Sequence, residues 1–388
     1  MEKLLALICF IVLSTGCNQS SPDRVVHTTR QNPQKEPTSS VQVSSEIDSI
    51  AMSFLQKSKC TGLSIGIING DKVLKKYYGR LDRNSNQAPD SSTLYEIASI
   101  TKTFTGILLA HAVNEGKIKL TDDIRKYLPG NYPKLEYKGQ PIQIVHLSNH
   151  TSGLPRKPLD LTTQPNYDPK NQYAHYTKNM MLSYLDQVKI DREPGTVAVY
   201  SNYAVGLLGI ILERVYHKPL ENILKQVITD PLGMHNTTFE VAEGNSKYIK
   251  GYDRNTGLEV SHWDLAGLKG CGGLKSNLQD MLLYVLSNIK ATNPDIKLAH
   301  QETFRDSKNK LIPQGLGWGL AIYDSGYNSF NNPLHISPKM EKIIFHGGES
   351  AGFNTFAGFL KDQKKGIVVL SNSNKSTVEL GVKILKVM

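Results

Sequence analysis

The chain has 388 residues, of which 39% are hydrophobic, 8% aromatic and 21% charged. This composition is typical of a globular protein, so an intrinsically disordered chain, a collagen-like chain and a coiled coil are excluded for the chain as a whole. The 45 Lys and Arg residues exceed the 35 Asp and Glu residues and give a formal net charge of +10, which is compatible with nucleic acid, an anionic membrane or an acidic substrate. Four cysteines are too few for a disulfide scaffold, and no Cys-x-x-Cys pair indicates a zinc site.

The first residues carry the features of an export signal. Residues 4–13 are an uninterrupted apolar run, which is too short to span a bilayer but suits the apolar core of a signal peptide. The small residues Ser14-Thr-Gly before Cys17 resemble a bacterial lipoprotein signal, in which the cysteine is lipidated; an ordinary secretory signal with an incidental Cys is the alternative. Either signal excludes nucleic acid as a partner, and we expect the protein on the periplasmic side of a bacterial membrane with a lipid anchor on Cys17.

One folded domain is expected after the signal. Residues 18–44 combine three prolines with Ser, Thr, Asn and Gln and lack hydrophobic periodicity, as is typical of a flexible tether. Behind Ser44 and Ser45, the expected N-cap, apolar residues recur at helical spacing from Ile47 to Leu55. The expected organisation is a signal peptide over 1–16, a lipidated linker over 17–44 and a folded domain over 45–388.

Strands are predicted at both ends of this domain. Residues 62–68 and 72–78 flank Asn69-Gly70-Asp71 and predict a hairpin with an Asn-Gly turn. The later predicted elements are strands over 342–345, 353–360 and 366–371 and an amphipathic closing helix over 376–387. Between the two ends the pattern is mainly helical, with predicted helices over 103–115, 203–216, 220–228 and 278–289. We therefore predict an α/β (α+β) fold, with an antiparallel sheet formed by both chain ends, helices flanking it and an all-helical region inserted at roughly 103–330.

Two cysteines lie inside this domain, Cys60 and Cys271. An oxidising compartment permits a disulfide, but the sequence supplies no geometry for one. Buried free thiols are therefore the favoured prediction.

Two Gly-x-Ser-x-Gly segments are unsuited to act as a nucleophile elbow. That motif needs a strand that turns sharply into a helix, followed later in the chain by a His. Ser64 lies inside a predicted strand that runs into a hairpin, and Ser350 follows the last of the eleven histidines, His346. The α/β-hydrolase interpretation is therefore rejected, and these glycines are expected to serve strand packing.

Ser-x-x-Lys occurs at Ser99, Ser287 and Ser307. The chemistry needs the Ser at a helix start and the Lys one turn later on the same face. There the helix dipole favours negative charge, and a Lys shielded from water can act as a base. Ser287 lies near the end of a predicted helix and Ser307 in a polar stretch, so only Ser99-Ile-Thr-Lys102, which opens an apolar helix, has the required context.

Two further motifs follow Ser99-Ile-Thr-Lys102 along the chain. Tyr200-Ser-Asn202 is the only Tyr-x-Asn segment, and His346-Gly347-Gly348 is the only His-x-Gly segment. Three motifs in this order and spacing resemble the serine β-lactamase and penicillin-binding protein superfamily, nearest its class C and DD-peptidase branch. The resemblance covers residues 46–388, and its other segments are His150-Thr-Ser-Gly-Leu-Pro155, Pro194-Gly195, Asp230-Pro-Leu-Gly-Met234, Gly272-Gly-Leu274, Gly315-Leu-Gly-Trp318 and Gly352-Phe353. It implies the β-lactamase/DD-peptidase-like fold.

The resemblance assigns a role to each motif residue. Ser99 is the nucleophile that becomes acylated, Lys102 activates it, and Tyr200 shuttles a proton to the leaving group. Asn202 binds Lys102 and the substrate amide. The backbone N–H groups of Ser99 and Glu349 form the oxyanion hole, and the remaining substrate-binding residues are His346, Gly347 and Gly348. The Glu349 carboxylate is expected to repel an anionic substrate if it faces the cleft.

His346 departs from the class C pattern, which has Lys-Thr-Gly at this place. A Lys is cationic at neutral pH and helps to hold a substrate carboxylate, whereas a His near its ordinary pKa is mostly neutral, although still a hydrogen-bond donor. This departure weakens the case for an efficient β-lactamase, since DD-peptidases, D-aminopeptidases and related esterases of the family often carry His-x-Gly. His146 and His150, four residues apart, are read as structural, so no metal and no organic cofactor is expected.

The predicted function is an exported serine hydrolase that cleaves amide bonds of β-lactams or of D-Ala-D-Ala-type peptides from peptidoglycan through an acyl-Ser99 intermediate. Two alternatives stay open: an esterase acting on short acyl esters, and a non-hydrolysing lipoprotein that binds penicillin or peptidoglycan. We expect a monomer, and the net charge of +10 suits anionic peptidoglycan and a membrane surface.

Overall fold

The computed structural model of the protein describes residues 40–305, 312–323 and 341–388. The predicted signal peptide, the predicted lipidation site Cys17, most of the predicted linker and Ser307 lie outside the described residues.

The described elements alternate between one large sheet and a mainly helical region. The strands are β1 Gly62–Asn69, β2 Lys72–Gly79, β3 Tyr95–Glu96, β4 Glu136–Tyr137, β5 Gln140–Pro141, β6 Gly251–Tyr252, β7 Glu259–Val260, β8 Lys275–Ser276, β9 Gly319–Tyr323, β10 Glu341–Glu349, β11 Asn354–Leu360 and β12 Lys365–Ser371. The helices are α1 Ser40–Ser58, α2 Thr101–Asn114, α3 Ile144–Ser148, α4 Lys178–Tyr184, α5 Asn202–Tyr216, α6 Leu220–Leu224, α7 Asp230–Leu232, α8 Lys269–Gly272, α9 Leu278–Lys290, α10 Pro294–Ala299 and α11 Val378–Val387.

Both ends of the domain contribute to the six-stranded sheet, as predicted. Its strand order is β2-β1-β12-β11-β10-β9, and β1 pairs antiparallel with β12, with Leu63 opposite Ser371. The β1–β2 hairpin has Gly70 and Asp71 at the centre of its turn, since Asn69 pairs with Lys72. Gly70 has a φ of 60°, a left-handed conformation that glycine adopts without strain.

The two faces of the sheet pack against different helices. On β1, Leu63, Ile65 and Ile67 belong to the core beneath α1 and α11, whereas the intervening Ser64 and Gly66 point to the opposite face. There a Cβ on Gly66 would lie 2.7 Å from Leu282 of α9. Burying each of these aliphatic side chains contributes about 1.5–3 kcal/mol, so this alternation fixes the register of β1.

The inserted region is centred on α2, which is buried on nearly every side. A helix that is apolar all round is typical of a protein core. The prediction of an all-helical region over roughly 103–330 is wrong, because these residues also contain the ladders β4–β5 and β6–β7, the strand β8, which pairs with β3, and the strand β9 of the large sheet. Of the helices in the described ranges, none combines the length and apolarity that crossing a membrane requires.

Helix α1 begins earlier in the chain than the sequence pattern predicts. This helix begins at Ser40, so Ser44 and Ser45 lie inside it rather than at its N-cap. The residues before Ile47 are mostly weak helix formers, but Val43 packs against the same core in which Ile47 and Ala51 are buried, and tertiary packing supplies most helix stability.

Cys60 and Cys271 are both free thiols, as predicted; Cys271 is buried, whereas Cys60 is only half-buried. Burial raises the pKa of the Cys60 thiol to about 11 and also raises the pKa of Cys271. Thiols with raised pKa values are poor nucleophiles, so neither cysteine competes with Ser99 as the reactive group.

Candidate active site

Ser99 lies in a sharp turn between β3 and α2. The turn is a 3-10 helix over Ala98–Ile100, and α2 follows directly from Thr101. Ala98 has a φ of 45°, a left-handed conformation that is strained for a residue with a side chain. Ser99 therefore stands just before the N-terminus of a buried helix, with Lys102 three residues later along the chain.

The four polar residues of the first two motifs meet at the Ser99 hydroxyl. The Tyr200 hydroxyl donates a hydrogen bond to Ser99 Oγ at 2.7 Å, and Lys102 Nζ donates to the same oxygen at 3.1 Å. Lys102 Nζ also donates to Asn202 Oδ1 at 2.9 Å and to the carbonyl oxygen of Cys271 at 2.6 Å. Such contacts place both Tyr200 and Lys102 within reach of the proton that a serine nucleophile loses.

Lys102 is fully buried, with 0% of its surface exposed. All three of its hydrogen-bond acceptors are uncharged, and in the described part of the chain no carboxylate lies within ion-pair distance of Nζ. The nitrogen also lies 4.7 Å from the centroid of the Tyr200 ring. The side chain is therefore held in one position by short-range contacts rather than by a counter-ion.

The start of α5 fixes the positions of Tyr200 and Asn202. Ser201 is the N-cap, and its hydroxyl accepts from the Ala204 N–H at 2.9 Å and donates to the Pro155 carbonyl at 2.6 Å. An N-cap serine satisfies a helical N–H group that otherwise lacks a partner. Tyr200 and Asn202, on either side of the cap, are thereby held beside the loop that ends at Pro155.

His150 packs against the ring of Tyr200. Its ring centroid lies 4.5 Å from that of Tyr200, and its Nδ1 accepts a hydrogen bond from the Ser201 N–H at 3.2 Å. Burial and the nearby charge of Lys102 hold the pKa of His150 well below its usual value, so the ring is neutral and can accept. His146 likewise accepts from a backbone group, the Gln143 N–H at 3.1 Å.

Gly348 brings strand β10 against the turn that carries Ser99. A Cβ at this position would lie 2.2 Å from the Ile97 carbonyl oxygen and 2.4 Å from Thr355 Oγ1, so only glycine permits the approach. Thr355 Oγ1 donates to the same Ile97 oxygen at 3.1 Å. Glu349, the last residue of β10, therefore lines the same cavity as Ser99, in keeping with the predicted oxyanion pair.

His346 cannot supply a positive charge to the cavity at neutral pH. Burial and the charge of Lys102 lower the pKa of His346 to about 4. Its Nδ1 lies 2.6 Å from the Gly347 carbonyl oxygen, and because a carbonyl only accepts, the ring proton belongs on Nδ1 and Nε2 carries a lone pair. The one ring N–H of this neutral histidine is therefore bonded to the Gly347 carbonyl, and its role toward a substrate stays a prediction.

These residues surround an open cavity of about 830 Å³. One wall comes from the helical region and the other from the sheet. The lining residues are Ser99, Arg156, Lys157, Gln172, Tyr173, Tyr200, Asn202, Trp263, His346, Gly347, Gly348, Glu349, Ser350, Ala351, Asn354, Asn374, Ser376 and Val378.

Several residues of this cavity were not predicted from the sequence. Tyr173 accepts a long hydrogen bond from Asn202 Nδ2 at 3.4 Å, and Trp263 packs edge-on against Tyr173 with ring centroids 5.7 Å apart. Both come from long loops without periodicity. Arg156 directly follows the segment His150–Pro155, and that proximity is the one signal by which the sequence could have indicated it.

The serines of the rejected motifs lie away from Ser99 or lack hydrogen-bond partners like those of Ser99. Ser64 is inside β1, where its Oγ bonds to Tyr95 Oη at 2.9 Å, and Ser287 lies near the end of α9. Ser350 is buried next to Glu349, and no lysine, tyrosine or histidine bonds to its Oγ within the described ranges. No cluster of three or more metal-ligating side chains exists among residues 40–305, 312–323 and 341–388.

Comparisons with known proteins agree with this geometry. The sequence model of the family described as "Beta-lactamase" matches residues 47–385. A "Beta-lactamase" of Pseudomonas fluorescens is 26% identical over 354 residues, covering 86% of this chain and 94% of the relative. The "D-alanyl-D-alanine-carboxypeptidase/endopeptidase AmpH" of Escherichia coli is 30% identical over 342 residues, covering 84% of this chain and 82% of the relative.

A solved structure shows the same fold. The crystal structure of a "Beta-lactamase/D-alanine Carboxypeptidase" from Yersinia pestis, complexed with citrate, superposes with a TM-score of 0.73 at 27% sequence identity. The superposition covers 90% of this chain and 99% of that one. The predicted sheet completed by both chain ends is thus the fold of known β-lactamase and carboxypeptidase structures.

Proposed function

The chain belongs to the beta-lactamase family and is a serine hydrolase, and from that premise we propose that it cleaves D-Ala-D-Ala-type peptides through an acyl-Ser99 intermediate. The observation that carries the proposal is the hydrogen-bonded set formed by Ser99, Lys102, Tyr200 and Asn202. Each member of this set has a partner that its role requires.

Acylation uses the contacts at Ser99 Oγ. The oxygen attacks the substrate carbonyl carbon, and its proton passes through Lys102 and Tyr200 to the nitrogen of the leaving group. One C–O bond forms and one C–N bond breaks, so the leaving group departs as a neutral amine. The backbone N–H groups of Ser99 and Glu349 would stabilise the developing oxyanion, a contribution often worth about 10²–10³ in rate.

Deacylation reverses the same proton path. A water molecule takes the place of the departed amine, Tyr200 accepts one of its protons, and the oxygen attacks the acyl carbon. Ser99 leaves as the alcohol with its proton restored, so the enzyme returns to its starting state.

A peptide is favoured over a β-lactam because of His346. The class C pattern has a cationic Lys at this place, whereas His346 is neutral with a pKa of about 4. A D-Ala-D-Ala peptide also ends in a carboxylate, so the missing positive charge does not by itself separate the two substrates. The departure favours a peptide because DD-peptidases of the family often carry His-x-Gly at this place. The 30% identical relative named as a D-alanyl-D-alanine-carboxypeptidase/endopeptidase supports the same choice.

The neutral His346 also favours a second candidate, hydrolysis of short acyl esters. An ester substrate needs no charged partner for a carboxylate, and its alcohol leaving group departs more easily than an amine. Peptide hydrolysis and ester hydrolysis would both use Ser99, Lys102 and Tyr200. They differ only in which substrate the residues lining the cavity bind.

The test is a side-by-side assay of the purified full-length protein on three substrates: nitrocefin, a D-Ala-D-Ala peptide and an aliphatic nitrophenyl ester. The proposal predicts release of D-Ala with a higher kcat/KM than nitrocefin hydrolysis, and loss of all three activities in Ser99→Ala. Fast ester hydrolysis without D-Ala release would establish the second candidate instead. Activity that persists in Ser99→Ala would overturn both.

We further propose that the protein is exported and anchored by a lipid on Cys17. The apolar run over residues 4–13 and the small residues before Cys17 support this location, which is also where peptidoglycan lies. In cells expressing the full-length gene, wild type should sediment with membranes and incorporate labelled fatty acid, whereas Cys17→Ser should do neither. Unchanged sedimentation and labelling in the variant would contradict the anchor.

A further inference from the structure

The active-site cavity carries opposite charges on its two walls. Among its described lining residues, Arg156, Lys157 and Glu349 are the charged ones at neutral pH, since His346 is neutral. Arg156 and Lys157 belong to the wall formed by the helical region, and Glu349 belongs to the sheet wall. Any positive charge that a substrate meets inside this cavity therefore comes from the helical side.

The backbone of Arg156 is anchored at the start of α5. Its carbonyl oxygen accepts hydrogen bonds from the Asn202 N–H at 2.9 Å and the Tyr203 N–H at 3.2 Å. These N–H groups lie in the first turn of the helix, where no helical acceptor is available to them. The Cα of Arg156 is thereby fixed next to Tyr200 and Asn202, in contrast to a residue on a free surface loop.

The side chain of Arg156 is also placed against the reactive centre. Its guanidinium carbon lies 5.0 Å from the centroid of the Tyr200 ring, within the range of a cation–π contact. This contact restrains the position of the guanidinium, and the N–H groups that do not face the ring can donate to a ligand. Lys157 has no comparable contact with Tyr200 or Asn202 in the described residues.

Arg156 has no carboxylate partner within the parts of the chain that the structure describes, and it is exposed to the cavity. An arginine with unpaired, coplanar N–H groups matches the geometry of a carboxylate and binds it through two parallel hydrogen bonds. His346 cannot take over this task, because its N–H is bound to the Gly347 carbonyl.

We propose that Arg156 binds a carboxylate on the acyl part of the substrate and so selects for acyl donors that carry negative charge. The side of the substrate follows from the position of Arg156. Its carbonyl oxygen accepts from the backbone N–H of Asn202, the residue expected to bind the substrate amide, and we place that amide in the acyl part. The inference rests on the proposed function and narrows its substrate class to peptides whose acyl part carries a carboxylate, rather than peptides with a neutral acyl part or simple esters.

The test compares two peptides that differ only in the charge of the acyl part: N-succinyl-D-Ala-D-Ala and its analogue with a succinamide end. D-Ala release is measured for the full-length protein and for Arg156→Gln. Wild type should prefer the carboxylate peptide by about tenfold in kcat/KM, and Arg156→Gln should lose this preference. The loss should appear as a higher KM for the carboxylate peptide, with kcat and all constants for the succinamide peptide within about twofold of wild type, as expected for a binding contact.

Lys157→Gln serves as the matched control, since it removes one positive charge from the adjacent residue, and it should keep most of the preference. Arg156→Lys retains the charge without the planar group and should keep only part of it. A preference that survives in Arg156→Gln would overturn the inference. So would an equal fall for both peptides together with a shifted pH profile, because Arg156 would then act through the Tyr200 ring rather than on the substrate.

This experiment separates the two proposals. If the wild-type protein releases D-Ala from neither peptide, the proposed function fails. If it releases D-Ala from both at equal rates, the proposed function stands and the role of Arg156 is refuted.

Discussion

At the scale of single residues, the chemistry concentrates on one oxygen atom. Ser99 Oγ receives hydrogen bonds from Tyr200 at 2.7 Å and from Lys102 at 3.1 Å. The shorter contact involves a group that also reaches the cavity, whereas Lys102 is wholly buried. Tyr200 is therefore the better placed of the two to pass a proton between Ser99 and a leaving group.

Replacing Tyr200 with Phe should lower kcat for D-Ala release by about 10²–10⁴, the range typical of removing a general acid or base. KM should change little, since the ring and its contacts stay. Tyr173→Phe is the matched control, because Tyr173 lines the same cavity but contacts Asn202 by a long hydrogen bond of 3.4 Å. A similar fall in both variants, measured by steady-state kinetics, would show that Tyr200 has no special part in proton transfer.

At the scale of elements, the site depends on how closely β10 approaches the turn before α2. Gly348 is the contact point, with no room for a Cβ beside the Ile97 carbonyl oxygen. The strand therefore determines where the Glu349 N–H lies relative to Ser99. A small displacement of the strand would change the distance between this N–H and the oxyanion.

Gly348→Ala should lower kcat/KM by about 10²–10³, the cost of losing an oxyanion donor. It should also lower the free energy of unfolding by about 1–3 kcal/mol through overpacking. Gly347→Ala is the control for stability, since a Cβ there would meet its nearest atom, Val378 Cγ2, at an ordinary 3.4 Å. Urea unfolding and D-Ala release measure the two effects. Full activity in Gly348→Ala would contradict the proposed position of the oxyanion hole.

Sequence patterns predicted the elements whose causes are local. Alternation and turn residues indicated β1, β2 and β10–β12, and the spacing of Ser99 and Lys102 depends on a single helix start. Arg156, Tyr173 and the Cys271 carbonyl reach the site through long loops or distant helices, whose paths depend on tertiary packing rather than on periodicity. The N-terminal extension of α1 to Ser40 has the same cause, because packing on the sheet outweighs the cap signal at Ser44.

At the scale of the whole molecule, several histidines are buried or half-buried, and their surroundings favour the neutral form. Burial lowers the pKa of His146 to about 4 and that of His300 to about 3, and burial with Lys102 lowers that of His346 to about 4. Between pH 6.5 and about 4 the unfolded chain binds protons on these side chains while the folded chain does not. The free energy of unfolding should therefore fall as the pH falls through this window. Burial raises the pKa of Glu96, so the folded chain binds this proton more readily than the unfolded chain. This group therefore opposes the fall in the free energy of unfolding as the pH falls.

His300→Gln should make this pH dependence less steep. Each histidine contributes up to about 1.4 kcal/mol per pH unit, so removing one should lower the slope between pH 6 and 5 by about that amount. Urea unfolding, followed by circular dichroism at each pH, gives the slope for both proteins. An unchanged slope would show that His300 binds its proton equally well in the folded state.

The central claim is that Ser99 becomes covalently acylated during turnover. The most direct measurement is intact-mass analysis of the full-length protein after incubation with benzylpenicillin or a fluorophosphonate, followed by peptide mapping of the adduct. The account predicts one adduct per chain, located on Ser99, with none in Ser99→Ala. An adduct on another residue, or equal labelling of both proteins, would contradict it.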